Sequence, residues 1–345
     1  IGLANTLARN SWGYTGPNPS VGTVIVKNDN VISFGITDRS GRPHSEVIAL
    51  NKLSKKNKKN STIYISLEPC AHHGKTPPCV GEIISSKPKR VVYSINDVDL
   101  RTSGKSFRIL KSKKIKVKKN FSLNISKLIY KNYFYAKKNN KPYVYGKLAI
   151  SKDLFLKDKK NFYITNKKSL ETAHLLRSKV NCILTTSKTI NDDNPKLNCR
   201  INGLEYISPK IAILDKNLKI KKNCFLVKNA KNNNTFLFHN NVIPSKIKFL
   251  RSKKIILIHT PLNNRNLDFN YVLKQLFMNE ISSVLVEGGK KIITSLLNKN
   301  SFNEFYLFIS SKSLKNRGSS QVLNIKSSLF NKFKNIKFNR SYSLS

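Results

Sequence analysis

The sequence predicts two α/β domains in tandem, and three observations carry the prediction. At 345 residues the chain is too long for one ordinary hydrophobic core. Short apolar runs with strand character alternate with segments of helical period almost throughout, the pattern of layered α/β architecture. A polar connector at Asn139–Pro142 breaks the alternation once. The expected organisation is therefore a three-layer α/β/α domain over residues 1–120, a connecting helix and linker over 121–141, and a second α/β domain over 142–345.

In the first domain, Ile1–Arg9 reads as a helix leading into the Gly/Pro-rich turn "YTGPNPSVG". "GTVIVKN" and "VISFGITD" read as two strands of a hairpin turned at Asn28-Asp29-Asn30. In "HSEVIALNKL", Val47, Leu50 and Leu53 recur at helical spacing. Then come "STIYISLEP" (strand), "CVGEIIS" (helix), "RVVYSI" (strand), "KSFRILKSK" (helix) and "IKVKKNF" (strand), before the connecting helix "ISKLIYKNYFYAKKNNKP". In the second domain, strands are expected at "YVYGKLAI", "CILTTS", "KIAILD", "TFLFH", "KIILIH", "SVLVEGG" and "EFYLFIS". The main helices between them are "KSLETAHLLRSK", "DFNYVLKQLFMNE" and "KIITSLLNK". No repeat of solenoid period is present.

Composition excludes several classes. No apolar run is long enough to cross a membrane, and the N-terminal "IGLANTLARN" lacks the basic start and cleavage site of a secretory signal. The cytoplasm is the expected location, with a few residues expected before Ile1 because no Met starts the chain. Five cysteines are too few and odd in number for a disulfide framework. Cys182, Cys199 and Cys224 lie in or beside apolar runs and read as buried thiols. The net charge of +46, from 64 Lys+Arg against 18 Asp+Glu, invites a nucleic-acid reading. The lysines, however, are spread along the whole chain beside Asn and Ile, as AT-rich codons supply them, and not gathered into Arg clusters with aromatics. No nucleic-acid partner is expected.

The most informative stretch is "SLEPCAHHGKTPPC", Ser66–Cys79, which could be a metal site, a disulfide, a catalytic thiol or a polar loop. Just upstream, "HSE" opens a helix. His44, Cys70 and Cys79 can supply three ligands to zinc and leave a fourth position open, the catalytic form of such a site. Zinc makes bound water acidic, and Glu46, two residues from His44, can take that proton and deliver it to a leaving amine. H-x-E followed by P-C…C is the signature of zinc nucleobase deaminases. His72 and His73 stand as rival ligands, as residues lining the substrate mouth, or as exposed loop residues. Eight residues separate the two cysteines, so a loop stiffened by Pro77 and Pro78 must fold out and return the second ligand.

"PNPSVGTVIV", "HSEVIAL" and the long-spaced "LEPCAHHGKTPPC" resemble the deaminase half of the bifunctional riboflavin-biosynthesis deaminase/reductase family. "KLAIS", "YIT", "LLRS", "TINDDNPKLNCR", "ILD" and "VEGG" are similar, in order, to its reductase half. The resemblance implies a cytidine-deaminase-like first domain and a dihydrofolate-reductase-like second one. It implies removal of the 2-amino group from a diaminopyrimidinone ribosylamino 5′-phosphate, then NADPH reduction of the ribosyl group to ribityl. It also implies self-association through the reductase domain, with a small phosphorylated pyrimidine as the partner molecule.

By the same resemblance His44, Cys70 and Cys79 hold Zn2+, Glu46 is catalytic, and Asn18, His72, His73 and Lys75 contact substrate. In the reductase half, Asn161, Arg177, Leu197, Arg200 and Glu287 fall on substrate positions. Ala149, Tyr163, Thr189, Asp193, Lys216, Gly288, Gly289 and Lys290 fall on NADPH positions, with Gly288-Gly289 opening a helix whose N–H groups suit a pyrophosphate. Several positions depart from the family pattern. Ser45 replaces an Ala, a small-for-small change expected to be harmless. Ser151-Lys152-Asp153-Leu154 replaces "S-L-D-G", and loss of that Gly is expected to alter a turn that wants positive φ. Asn161, Tyr163, Lys160, Lys216 and Lys290 also differ. Two alternatives follow: a deaminase with a degenerate reductase half, or a basic zinc deaminase acting on RNA.

Overall fold

The computed structural model describes residues 1–345 except 14, 17, 40, 161–163, 231–233, 324, 326–328 and 330–345. The alternation of strand and helix folds the chain into two units, Ile1–Lys141 and Pro142–Ser345. The first runs α1 (Gly2–Asn10), β1 (Gly22–Lys27), β2 (Asn30–Ile36), α2 (Ser45–Asn51), α3 (Lys55–Lys58), β3 (Thr62–Ile65), α4 (Cys79–Ser85), β4 (Arg90–Tyr93), α5 (Lys105–Ser112), β5 (Lys116–Lys119) and α6 (Leu123–Asn139). Its sheet has the order β2-β1-β3-β4-β5, antiparallel at β1 and parallel from β3 onward. The β1–β2 turn places Asn28 and Asp29 at φ 48° and 60°, the left-handed pair of a type I′ hairpin that Asn and Asp tolerate. Ile25, Ile63, Ile65, Val91 and Tyr93 from the strands meet Ala49, Ile83, Leu110 and Tyr130 from the helices in one core.

Two glycines set how closely helices approach this sheet. A Cβ on Gly22 would lie 2.2 Å from the Ala4 carbonyl oxygen of α1, and one on Gly35 would lie 2.2 Å from the Ser45 carbonyl oxygen of α2. Gly35 pairs with Thr23 across the hairpin, whereas Gly22 pairs with Ile36, so the two contacts are on opposite faces. The obstructing atoms are backbone, so α2 must move if Gly35 gains a side chain. Gly35→Ala is expected to cost roughly 2–3 kcal/mol by overpacking and to lower zinc content, since α2 carries His44 and Glu46 at its start. Gly81→Ala, where the added Cβ meets nothing within 4 Å, is the matched control. Urea midpoints and metal analysis of the two variants check this.

The second unit runs β6 (Tyr143–Ile150), β7 (Phe155–Asp158), α7 (Lys167–Ser178), β8 (Cys182–Thr186), α8 (Ser187–Asp193), β9 (Lys210–Leu214), α9 (Phe225–Lys228), β10 (Thr235–His239), α10 (Pro244–Ser252), β11 (Ile256–His259), β12 (Leu262–Asn263), β13 (Asn266–Leu267), α11 (Phe269–Met278), β14 (Ser283–Glu287), α12 (Lys290–Asn298), β15 (Glu304–Ile309), a short 3-10 turn and β16 (Gly318–Gln321). The main sheet, β11-β10-β9-β8-β14-β6-β15, is parallel throughout. Such a sheet is covered on both faces, which is why β10 and β14 are buried at every residue. Alternate strand residues enter two cores. Leu184, Phe236 and Val286 meet α11 and α12 on one face, and Ile183, Leu237 and Leu285 meet α8, α9 and α10 on the other. From β6 the chain builds β8 to β11 outward, then returns to insert β14 between β6 and β8. The C-terminal ends of these central strands therefore frame a crevice of the kind that binds ligands in open parallel sheets.

The turn after β6 differs from expectation. Leu154 keeps the left-handed conformation, φ 69°, although it is not Gly. Its neighbours hold it there. The Asp153 carboxylate accepts the backbone N–H groups of Leu314 (3.0 Å) and Lys315 (2.7 Å), Ser151 Oγ accepts the Phe155 N–H at 2.9 Å, and the Leu154 side chain packs on the core. Such contacts offset the ~1–2 kcal/mol that a left-handed non-glycine residue costs. Among the described residues no helix is long and apolar enough to cross a membrane.

Candidate functional site

Three segments separated in sequence build the first site. His44 is the extended residue that caps α2, Cys70 follows β3, and Cys79 is the first residue of α4. His44 Nδ1 lies 3.2 Å from Cys79 Sγ and 3.6 Å from Cys70 Sγ, and the three donor atoms fall within 4.8 Å of one another. Zinc bonds of ~2.0–2.3 Å at tetrahedral angles put ligand atoms roughly 3.5–3.8 Å apart, so an imidazole and two sulfurs at these separations fit the ion. All five cysteines are free thiols, which rules out the disulfide. The backbone N–H of Cys79 donates to Cys70 Sγ at 3.2 Å. The contact with Cys79 pulls the Cys70 thiol down, and the same contact together with burial pushes Cys79 up, so the proton the pair retains stays on Cys79. A cation between the sulfurs would draw off that remaining proton.

Glu46 is 3% exposed, one residue beyond Ser45 in the first turn of α2. Burial pushes its carboxyl up from the usual carboxylate range, against the pull of His44. Asn18 donates its amide to the Gly41 carbonyl at 2.7 Å, steadying the loop that leads to His44. In the long loop, His72 is half-buried with Nδ1 2.9 Å from Thr102 Oγ1, while His73 and Lys75 are exposed. Neither histidine joins the three-ligand cluster. Glu68 carries no sequence signal and is nevertheless buried, accepting the N–H groups of Asp97 and Gly104 at 3.1 Å each. It thereby fixes the segment that receives His72.

In the second unit Thr189, Lys216 and Glu287 to Lys290 lie at or just after the C-terminal ends of β8, β9 and β14. Arg177 on α7 forms a fork onto Glu287, Nε to Oε1 at 2.7 Å and Nη2 to Oε2 at 2.9 Å, and Nη1 reaches the Asn198 carbonyl at 3.1 Å. Lys147 pairs with Glu287 in strand register and brings its Nζ to 3.7 Å from the same carboxylate. Arg200 is exposed, and its backbone N–H donates to His174 Nδ1 at 3.2 Å. Leu197 is 5% exposed with φ 51°, so its side chain belongs to the core. Thr189, near the start of α8, bonds through Oγ1 to Thr186 Oγ1 at 3.0 Å and lies 3.8 Å from the position of a Gly288 Cβ. Asp193 pairs with Lys157 at 2.6 Å. Lys216 donates to the Arg265 carbonyl at 2.8 Å, and Ala149 lies on β6 opposite Phe308. Gly289 and Lys290 are exposed at the start of α12, where a Cβ on Gly289 would meet nothing within 4 Å. That open helix N-terminus fits a pyrophosphate, the group that NADPH would bring. Asn161 and Tyr163 lie outside the described residues.

Burial disfavours the charged form of Glu287, but Lys147 and Arg177 outweigh it and take the carboxyl down to about 2. With a folded value below its ordinary ~4.3, Glu287 contributes stability that is complete above about pH 4.5 and lost as pH falls toward 2. The second unit is expected to weaken across that window, and Glu287→Gln to flatten it, in denaturant midpoints measured from about pH 6 to pH 3. Lys147 was not singled out from the sequence. Its signal was a lone charge inside the otherwise apolar run "YVYGKLAI".

Residues 2–95 match the cytidine and deoxycytidylate deaminase zinc-binding region, and residues 142–342 match the RibD C-terminal domain. The chain is 33% identical over 313 residues to the riboflavin biosynthesis protein RibD of Aquifex aeolicus, covering 90% of this chain and 85% of that one. It is 29% identical over 318 residues to RibD of Escherichia coli, covering 89% and 86%. Among solved structures, Acinetobacter baumannii RibD is similar with TM-score 0.82 and 25% identity, over 98% of this chain and 90% of that one. The Thermotoga maritima diaminohydroxyphosphoribosylaminopyrimidine deaminase/5-amino-6-(5-phosphoribosylamino)uracil reductase follows with TM-score 0.79 and 26% identity, over 94% and 90%. Zinc-region and reductase domains in one chain, with relatives matched over most of their length, place both activities here: the chain belongs to the RibD family of bifunctional riboflavin-biosynthesis deaminase/reductases.

Proposed function

We propose that the first unit deaminates a diaminopyrimidinone ribosylamino 5′-phosphate at the His44/Cys70/Cys79 centre, and that the second unit then reduces the ribosyl group of the product to ribityl. The observation that carries this reading is the convergence of one imidazole and two thiols beside a buried carboxylate. Bound zinc supplies Lewis-acid activation of the attacking water. Glu46 accepts a proton from that water and returns it to the departing amine, so one carboxylate acts as base and then as acid. Its burial favours proton uptake. Asn18, His72, His73 and Lys75 would form the substrate mouth, and Lys75 suits the phosphate.

In the second unit NADPH would supply the hydride; Gly288-Gly289 would hold its pyrophosphate, and Thr189, Asp193, Lys216 and Lys290 would add further contacts. Glu287 fixes the plane of Arg177, and with Arg200 these side chains would hold the substrate, guanidinium to phosphate. The retained turn at Leu154 favours a working reductase over a degenerate one. Self-association through the second unit rests on the family resemblance, and a cytoplasmic location and the absence of a nucleic-acid partner belong to the same reading. The test incubates zinc-loaded protein with the diaminopyrimidinone ribosyl phosphate, with and without NADPH, and identifies products by mass spectrometry. Deamination without cofactor and reduction only with it is the expected result. Deamination that stops there would remove the second half of the proposal, and no reaction would remove the first.

A further inference from the structure

Ser45 sits between two polar side chains in the core of the first unit. Its hydroxyl donates to Glu46 Oε2 at 3.0 Å and is 2.7 Å from Thr23 Oγ1. Thr23 and Ser45 are 0% exposed and Glu46 is 3% exposed, so these hydroxyls have no water to turn to. Each hydroxyl carries one proton. With Ser45 giving its proton to the carboxylate, Thr23 must donate to Ser45, and the three groups form a directed chain from β1 through Ser45 to Glu46.

We propose that Ser45 is a positioning residue for deamination, locking Glu46 in one rotamer and occupying Oε2, so that Oε1 is the oxygen that moves the proton. This rests on the reading of Glu46 given above. Oε1 takes the proton of the attacking water and later gives it to the leaving amine, while Ser45 keeps its own proton throughout and stays bonded to Oε2 in both states. Thr23 acts only through Ser45, by fixing the direction of its hydroxyl. The Ser that replaces a small apolar residue is therefore not neutral: it adds a bond to a charged acceptor inside the core, where such bonds are strongest.

The test uses the full zinc-loaded chain and the diaminopyrimidinone ribosyl phosphate. Ser45→Ala is expected to lower kcat roughly tenfold, as loss of one charge-assisted bond implies, with KM and zinc per chain unchanged. Thr23→Val is expected to give a smaller loss and Thr23→Ser full activity. The Ser45→Ala/Thr23→Val double variant should be no slower than Ser45→Ala alone. Urea unfolding of the metal-free proteins should show the same non-additivity. A Ser45→Ala kcat equal to the parent's, a fall matched by loss of zinc, or additive losses in the double variant would overturn the proposal. If Ser45→Ala fails to fold, the Thr23→Val and Thr23→Ser pair decides. Glu46→Gln separates the two levels: activity retained there sinks the role of Glu46 itself, whereas an inactive Glu46→Gln beside a fully active Ser45→Ala sinks only the role of Ser45.

Discussion

Glu46→Gln is expected to slow deamination by about 10²–10⁴-fold, the usual contribution of a positioned acid–base group. The two side chains have the same shape, and Glu46 is buried, so packing at the start of α2 should survive the change. An amide still occupies the position that Ser45 bonds, and the three candidate ligands are untouched. What disappears is a group able to bind a proton and release it again. Zinc content and urea midpoint should stay at parent values. NADPH-dependent reduction of the already deaminated substrate should also continue, because the second unit has its own sheet and cores. A variant that loses both reactions together would place Glu46 in the scaffold and not in the chemistry.

Glu287→Ala should have the largest effect on stability. The carboxylate is 10% exposed and pairs with both Arg177 and Lys147, themselves 12% and 19% exposed, so its removal takes the one negative charge from between two mostly buried cations. Breaking a buried pair by deleting one partner costs about 3–5 kcal/mol, because the charge left behind has neither a counterion nor full hydration. Reduction should be lost along with the fixed plane of Arg177. Glu287→Ala/Lys147→Met should recover part of the stability, since one stranded charge is gone, but not the activity. The chain offers a convenient separation of the two units. Trp12 is its only tryptophan and lies in the first unit, so tryptophan fluorescence follows that unit while circular dichroism follows both. The expected result is an earlier dichroism transition with an unchanged fluorescence transition. Coincident shifts in both would show that Glu287 supports the whole chain.

The zinc centre was legible from the sequence because its chemistry is local. His44 and Glu46 must be two apart at a helix start, and Cys70 and Cys79 must flank one loop, so residue order alone points to three ligands and a proton carrier. The β1–β2 hairpin was legible for the same reason: Asn28 and Asp29 tolerate the left-handed backbone their turn requires. The parallel strands announced themselves as continuous apolar runs. Short elements with few apolar positions did not, and α8, α10, β7 and β16 all escaped. Only the tertiary structure showed that Asn18 bonds the loop before His44, that His73 is exposed while His72 is held by Thr102, and that Leu154 is kept in a glycine-like turn by contacts more than 150 residues away in the chain. Composition likewise said nothing of Thr23 or Glu68, Ser45 read only as a harmless small-for-small change, and Lys147 stood out only as a lone charge in an apolar run. Each of these is an ordinary polar residue whose importance comes from what is packed opposite it. Strand register sets Lys147 beside Glu287, and the hairpin's close approach to α2 sets Thr23 against Ser45. Local spacing specifies which chemistry a chain can carry; pairing across the sheet decides which buried polar groups meet, and so how firmly that chemistry is held.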